Sequence, residues 1–120
     1  ERWTELRRSH ARQYDLELKD SRVRRTTELH NRCHVYHIYS VFHPERNSLQ
    51  DALHKAGIHT GLHYPIPVHL QKPYHHLKCR EGDLPVTEKI AREQLSLPMF
   101  PELKEEDVSR VSEAICNWPA

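Results

Sequence analysis

The stretch GIHTGLHYPIPVHLQKPYHHLKCREGDLPVTEKIAREQLSLPMFP, residues 57–101, decides the fold of this 120-residue chain. It contains all three glycines and most of the eight prolines. Gly57 is suited to a left-handed helix stop, and Pro65 and Pro67 restrict the backbone to extended conformations. We therefore expect a rigid, irregular loop over His63–His69 that holds side chains in place for a ligand.

The polar side chains of this loop suit an uncharged polar ligand, such as a sugar, or a phosphate. His63, Tyr64, His69 and Gln71 supply both hydrogen-bond donors and acceptors. From the residues alone, a competing interpretation stays open. It is a proline-stiffened surface loop in which these polar groups are incidental.

Composition limits the function classes open to the chain. Its 120 residues suffice for one modest core, so we expect a single domain. The 18 Lys and Arg residues nearly balance the 17 Asp and Glu residues and are interleaved with them, so the one-signed surface of a nucleic-acid-binding protein is not expected. No apolar run is as long as a membrane span, and the opening ERWTELRR is not a secretory signal. The expected location is the cytoplasm.

Hydrophobic patterns ahead of the glycine- and proline-rich stretch predict a helix and a strand. The helix is expected over Trp3–Lys19, and the absence of a cap before it indicates a fragment of a longer protein. Its apolar face consists of Trp3, Leu6, His10 and Tyr14. Residues 34–42, HVYHIYSVF, carry large apolar groups on both faces, which predicts a strand covered on both sides. The connector between them is expected to include a short strand at Val23.

Further elements follow from capping and turn residues. Asn47 and Gln50 resemble a capping box, which predicts a helix over Asn47–Ala56. A short strand is expected over Ile58–His63. Pro85 is well placed in the first turn of another helix. The expected buried face of that helix consists of Val86, Ile90 and Ala91.

The end of the chain predicts one more helix. It is expected over about Glu105–Cys116, with Val108, Val111 and Ile115 on its buried face. Ahead of it, Leu95–Leu97 is expected to return the chain to the core. Strands mixed with amphipathic helices, without a clean βαβ repeat, favour an α+β fold in which helices cover a small sheet.

Histidine and cysteine spacing gives no strong metal or catalytic signal. His30, Cys33, His75 and Cys79 are the best zinc candidates, but their spacing is not a familiar pairing and the other histidines are scattered. The cysteines lack CxxC spacing, which indicates reduced thiols and no disulfide. No nucleophile elbow or glycine-rich phosphate loop is present. We assign no catalytic, cofactor-binding or metal-binding residue.

Two long motifs support a family resemblance. GIHTGLHYPIPVHLQKPY and GDLPVTEKIAREQLSLPMFPEL, followed by the terminal amphipathic helix, closely resemble the C-terminal segment of the DegT/DnrJ/EryC1/StrS family of pyridoxal-phosphate-dependent sugar aminotransferases. The likeness extends through HVYHIYSVF and, more loosely, through RRSHARQY near the start, so it covers nearly the whole chain. It implies that residues 1–120 form the small C-terminal domain of a fold-type I aminotransferase. That domain would dock on a large cofactor-binding domain of the same chain.

The same resemblance implies a function for the loop. The parent enzyme would be a homodimer with its active site at the subunit interface. It would transfer an amino group from an amino acid, with glutamate the expected donor, to a nucleotide-linked keto-sugar. His63 and Tyr64 are then the main substrate-contact candidates, with Thr60, His69 and Gln71 behind them.

The resemblance also implies what this chain lacks. In the family, the Schiff-base lysine, the aspartate that pairs with the pyridine nitrogen and the phosphate-binding serine belong to the large domain. The chain alone is therefore expected neither to bind pyridoxal phosphate nor to catalyse. Lys104 stands where the family often has threonine or serine, which predicts a weak cap for the last helix. The alternative function is a stand-alone ligand- or metal-binding α+β domain without catalysis.

Overall fold

An antiparallel sheet of three short strands lies at the centre of the computed structural model, which describes residues 1–119. Within those residues, the helices are Arg2–Glu17 (α1), Arg46–Lys55 (α2), Pro85–Glu93 (α3) and Glu105–Cys116 (α4), the strands are Arg24–Arg25 (β1), Tyr39–Phe42 (β2) and Gln94–Leu97 (β3), and 3-10 turns lie at Val68–Leu70 and Lys72–Leu77. The predicted α+β class with a small sheet is confirmed. None of the helices in residues 1–119 is long and apolar enough to cross a membrane.

The middle strand β2 pairs with β1 on one side and with β3 on the other. Tyr39 lies opposite Leu97 and Val41 opposite Leu95, and all four side chains are buried. Beyond β3, the backbone of Gly61 exchanges two hydrogen bonds with that of Ser96, at 3.0 and 2.8 Å. This bridge fixes the start of the proline-rich loop against the sheet.

Helices α1 and α4 complete the core. The ring of Tyr14 on α1 stacks on Tyr39, with 4.8 Å between ring centroids, and its hydroxyl donates to the carbonyl of Pro98 at 3.0 Å. Helix α4 has the predicted bounds, and its predicted face of Val108, Val111 and Ile115 is buried. Lys104 precedes α4 without a side-chain cap, as the sequence predicts.

The predicted strand over residues 34–42 is wrong in its first half. Only Tyr39–Phe42 is a strand, because Tyr36 adopts a left-handed φ of 46° that breaks the extended backbone. The amide of Tyr36 also donates to Nδ1 of His34 at 2.8 Å, and such local side-chain bonds compete with sheet pairing. Val35, on the predicted covered face, is exposed.

Three other local predictions are wrong in detail. Trp3 is 65% exposed, and α1 buries His10, Ala11 and Tyr14 instead. No side chain caps α2, and Asn47 lies inside its first turn, where its Oδ1 accepts from Nε of Arg46 at 2.7 Å. The predicted strand over Ile58–His63 is reduced to the single bridge at Gly61.

Helix α3 has the predicted start at Pro85, but the predicted orientation of its faces is wrong. Val86 and Ile90 are exposed, whereas Ala91 is buried as expected. The other buried residue of this helix is Glu88. Its carboxylate turns inward because backbone amides and a histidine bind it there.

Candidate functional site

His63 is held at the start of the loop by polar groups of the sheet. Its backbone amide donates to Oε1 of Gln94 at 3.0 Å, and its Nδ1 lies 2.8 Å from Oγ of Ser96. Gln94 and Ser96 are both buried on β3. The imidazole is exposed, so its outer edge faces solvent while its inner edge is fixed.

The Gln94 side chain has a partner for each of its hydrogen-bonding groups. Besides accepting from the His63 amide, it donates through Nε2 to Oγ of Ser40 at 2.9 Å and to Oγ of Ser96 at 2.6 Å. A buried amide that is fully bonded in this way stabilises one arrangement of its neighbours. The four residues His63, Gln94, Ser96 and Ser40 are called the His63 network below.

Two surface clefts meet at His63. One, of about 250 Å³, is also lined by His37, Gly61 and Met99. The other, of about 410 Å³, is also lined by Thr26, His37 and Ser40. The imidazole of His63 is therefore a shared wall, within reach of a ligand in either cleft.

Tyr64 is the second leading contact candidate and is largely exposed. Its side chain is 70% exposed, and its ring lies edge-on to that of His63 with 5.6 Å between centroids. The peptide bond between His63 and Tyr64 is cis. The two leading candidates are neighbours in the sequence, and both are exposed.

The three secondary candidates make contacts within the chain. Thr60 is half-buried, with its Oγ1 3.4 Å from Nε2 of Gln50. Gln71 donates to the carbonyl of Ile66 at 3.1 Å. Each residue therefore uses one of its polar groups within the chain. Their contact with a substrate stays a prediction.

His69 lies in the interior of the loop, bonded to Glu88. Its Nε2 is 3.1 Å from Oε1 of Glu88, and both side chains are buried. The Glu88 carboxylate also accepts from the backbone amides of Gly82 and Leu84. These bonds hold the pKa of Glu88 below its usual value, with the Gly82 amide the largest cause. His69 therefore ties the loop to the start of α3.

Sequence reasoning missed the residues that support the loop. Gln94, Ser96 and Glu88 were not site candidates, although each binds a loop residue. The sequence QLSL contains a pattern that could have identified two of them, because polar Gln94 and Ser96 alternate with apolar Leu95 and Leu97. Polar groups at alternate positions of a buried strand need partners, and these partners are on the loop.

Pyridoxal phosphate forms a Schiff base with a lysine, so the environment of each lysine bears on where the cofactor is held. Every lysine is exposed. Lys19 shares a cleft with Asp15, whose Oδ1 accepts from the Tyr39 hydroxyl at 2.7 Å. A buried lysine is not found within residues 1–119. Nor do those residues bring together three or more His, Cys, Asp or Glu side chains that could hold a metal ion.

Comparison with known proteins gives close matches over nearly the whole chain. A pleiotropic regulatory protein of Geobacillus stearothermophilus is 46% identical over 98% of this chain. A UDP-N-acetyl-3-dehydro-α-D-glucosamine 3-aminotransferase of Acidithiobacillus ferrooxidans is 42% identical over 68% of the chain and is matched over 22% of its own length. The structure of DesV from S. venezuelae in complex with a ketimine intermediate superposes with a TM-score of 0.94 and 33% identity, over 97% of this chain and 32% of DesV.

These matches also show how much of each relative the chain spans. It spans 32% of the length of the Geobacillus protein, so most of each relative lies outside the region compared. The sequence model of one family matches residues 1–116, which is nearly every residue of the chain. The chain therefore belongs to the DegT/DnrJ/EryC1/StrS aminotransferase family.

Proposed function

We propose that this chain is the C-terminal small domain of a pyridoxal-phosphate-dependent aminotransferase that acts on a nucleotide-linked keto-sugar. The family match and the aminotransferases among its relatives support the reaction class. In this proposal an amino acid, with glutamate the expected donor, supplies the amino group. The parent protein acts in the cytoplasm as a homodimer.

The cofactor belongs to the remainder of the protein in this proposal. Pyridoxal phosphate, when bound there, supplies the chemistry of amino transfer. The chain spans 32% of the length of the Geobacillus protein and of DesV, which supports this division of labour. What this chain contributes is a substrate-side loop.

The observation that carries the proposal is the exposed pair His63 and Tyr64 on a braced backbone. The His63 network fixes the inner edge of the imidazole, and the bonds of Gln71 and His69 fix the rest of the loop. Such preorganisation reduces the entropy lost when a flexible ligand binds. His63 and the Tyr64 hydroxyl would bind sugar or diphosphate oxygens and orient the substrate towards the cofactor domain.

The test is steady-state kinetics of the full-length protein with His63→Ala or Tyr64→Phe. Loss of one hydrogen bond to a charged group removes about 1.5–3 kcal/mol, so kcat/KM for the sugar substrate should fall roughly ten- to a hundredfold. The absorbance of the bound cofactor should be unchanged, because neither residue contacts it in the proposal.

A matched control is His76→Ala, which removes another exposed histidine from the same segment. Its kcat/KM should equal that of the unmodified protein. Normal kinetics in both His63→Ala and Tyr64→Phe, with the fold preserved, would remove this pair from the site.

A further inference from the structure

The His63 network determines which nitrogen of His63 carries the proton. A backbone N–H can only donate, so the Gln94 atom that faces the His63 amide at 3.0 Å must be the acceptor oxygen Oε1. This assignment fixes the orientation of the Gln94 amide. Its NH₂ group then points to the hydroxyl oxygens of Ser40 and Ser96, and both oxygens must accept.

The direction of the last bond follows from the hydroxyl of Ser96. Its oxygen accepts from Gln94, so its own hydrogen still needs an acceptor. Among residues 1–119, Nδ1 of His63 at 2.8 Å is the acceptor within reach. The Ser96 hydroxyl therefore donates to Nδ1, and the neutral imidazole carries its proton on Nε2.

We infer that Ser96 and Gln94 are positioning residues that hold His63 as the Nε2–H tautomer and present that N–H to an oxygen acceptor of the ligand. Nε2 has no hydrogen-bond partner within the described chain, and the imidazole forms part of both clefts. A sugar hydroxyl, a carbonyl and a phosphate oxygen all accept such a bond. The tautomer is a property of this chain, whereas the sugar nucleotide as ligand rests on the proposed function.

Gly61 provides independent geometric support. A Cβ placed on Gly61 would lie only 2.8 Å from Cε1 of His63, so the imidazole packs directly over this glycine. The bridge between the backbones of Gly61 and Ser96 keeps that glycine in place. The ring is thus confined by the Gly61 backbone as well as by the Ser96 hydroxyl.

The direct test is ¹⁵N NMR of the histidine rings in the full-length protein, at a mildly alkaline pH where unperturbed imidazoles are neutral. Signals of His63 are assigned by their loss in His63→Gln. We expect protonated Nε2 and an Nδ1 with the shift of a hydrogen-bond acceptor. In Ser96→Ala the acceptor shift of Nδ1 should be lost, whereas Ser96→Thr, which retains a hydroxyl, should preserve it. A proton on Nδ1 in the unmodified protein would overturn the inference.

Kinetics distinguish positioning from a merely structural role. Ser96→Ala should lower kcat/KM for the sugar substrate by about three- to tenfold, as expected for a misplaced hydrogen bond, and Ser96→Thr should restore it. Ser112→Ala is the matched control, because Ser112 is another buried serine that lies on α4 and lines neither cleft. An equal loss in Ser112→Ala and Ser96→Ala, with Nδ1 unchanged, would contradict the assignment. If His63→Ala leaves kcat/KM unchanged while the NMR result holds, the proposed function fails and the tautomer stands.

Discussion

At the scale of single residues, Gly61 and His63 show how one missing side chain makes room for another. The backbone φ of Gly61 is not in the left-handed region, so an alanine fits the main chain there. Only the space is lacking, because a new Cβ would lie 2.8 Å from the imidazole. The chemistry of His63 therefore depends on the absence of a methyl group two residues earlier.

This dependence predicts the effect of Gly61→Ala. The methyl group should push the imidazole away and break its bond with Ser96, because His63 is the neighbour that must move. In the full-length protein, kcat/KM should fall about tenfold or more, approaching the value for His63→Ala. Steady-state kinetics combined with the ¹⁵N spectrum of His63 measures both effects.

Gly57→Ala is the control for Gly61→Ala. Gly57 has a left-handed φ of 73°, so alanine should lower the free energy of unfolding by about 1–2 kcal/mol. It does not contact His63, so kcat/KM of the folded protein should be unchanged. A Gly61→Ala protein with normal kcat/KM would show that the ring tolerates the displacement.

The predictable part of the site follows from local chemistry. The proline-braced loop and its polar residues were visible in the sequence, because proline acts on its own backbone. The role of Ser96 was not visible, because this serine lies 33 positions from His63 and only the fold brings them together. Polar residues in a buried strand indicate that hydrogen-bond partners exist, but the sequence does not identify those partners.

At the scale of elements, the 3-10 turn at Val68–Leu70 and helix α3 are joined by one carboxylate. Glu88 binds the amides of Gly82 and Leu84 and Nε2 of His69. Within the intervening residues 71–84, the regular structure is the 3-10 turn at Lys72–Leu77. Glu88 therefore takes over part of the stabilisation that a strand or long helix would otherwise provide.

Glu88→Gln should reveal this role through its pH dependence. The pKa of Glu88 is held below its ordinary value of 4.5, chiefly by the Gly82 amide, so the folded state favours the ionised form. That stabilisation is present above the ordinary pKa and is lost as the pH falls through the lower, folded-state pKa. The stability difference between the unmodified chain and Glu88→Gln should be largest near neutral pH and should shrink under acidic conditions.

Urea unfolding followed by fluorescence of the buried Trp118 measures this difference. The measurement is made at about pH 7, where the contribution is fully present, and at about pH 3, below the ordinary pKa of 4.5. Glu102→Gln, a change at an exposed carboxylate, is the control and should have little effect at either pH. If the difference in unfolding free energy between the unmodified chain and Glu88→Gln is the same at both pH values, the charge of Glu88 does not contribute to stability.

At the scale of the whole molecule, many large apolar side chains are exposed. They include Ile66, Val68, Leu77, Leu84, Val86 and Ile90. Exposed apolar surface commonly marks a contact with another part of a protein or with a partner. The chain spans 32% of the length of the Geobacillus protein and of DesV, and in the proposed function the remainder of the parent protein covers this surface.

This surface explains why α3 was predicted with the wrong orientation. Periodicity identifies an apolar face, and Val86 and Ile90 do form one. It does not tell whether that face is buried inside these 120 residues or by residues beyond them. Helix α4 was predicted correctly because its face packs within the chain, on α1 and the core. The fold class and the elements that form the core were therefore accessible from the sequence, and the outward-facing elements were not.

The last prediction compares an apolar residue on the exposed face of α3 with one in the core, through the variants Val86→Ser and Val111→Ser. Val86 is 71% exposed and Val111 is 4% exposed. In the 120-residue chain, Val86→Ser should change the free energy of unfolding by less than about 0.5 kcal/mol, whereas Val111→Ser should lower it by about 1.5–3 kcal/mol. In the full-length protein, Val86→Ser should also destabilise, because the apolar contact that covers this face is lost there.

Urea unfolding of the short chain, and thermal unfolding and analytical ultracentrifugation of the full-length protein, give the required readouts. Thr87→Ser controls for effects on the helix itself, since Thr87 is an exposed polar neighbour on α3. If Val86→Ser leaves the melting temperature and subunit association of the full-length protein unchanged, this position faces solvent in the parent. The outer face of α3 would then be exposed to solvent in the full-length protein, and a contact with the rest of that protein would not explain its apolar residues.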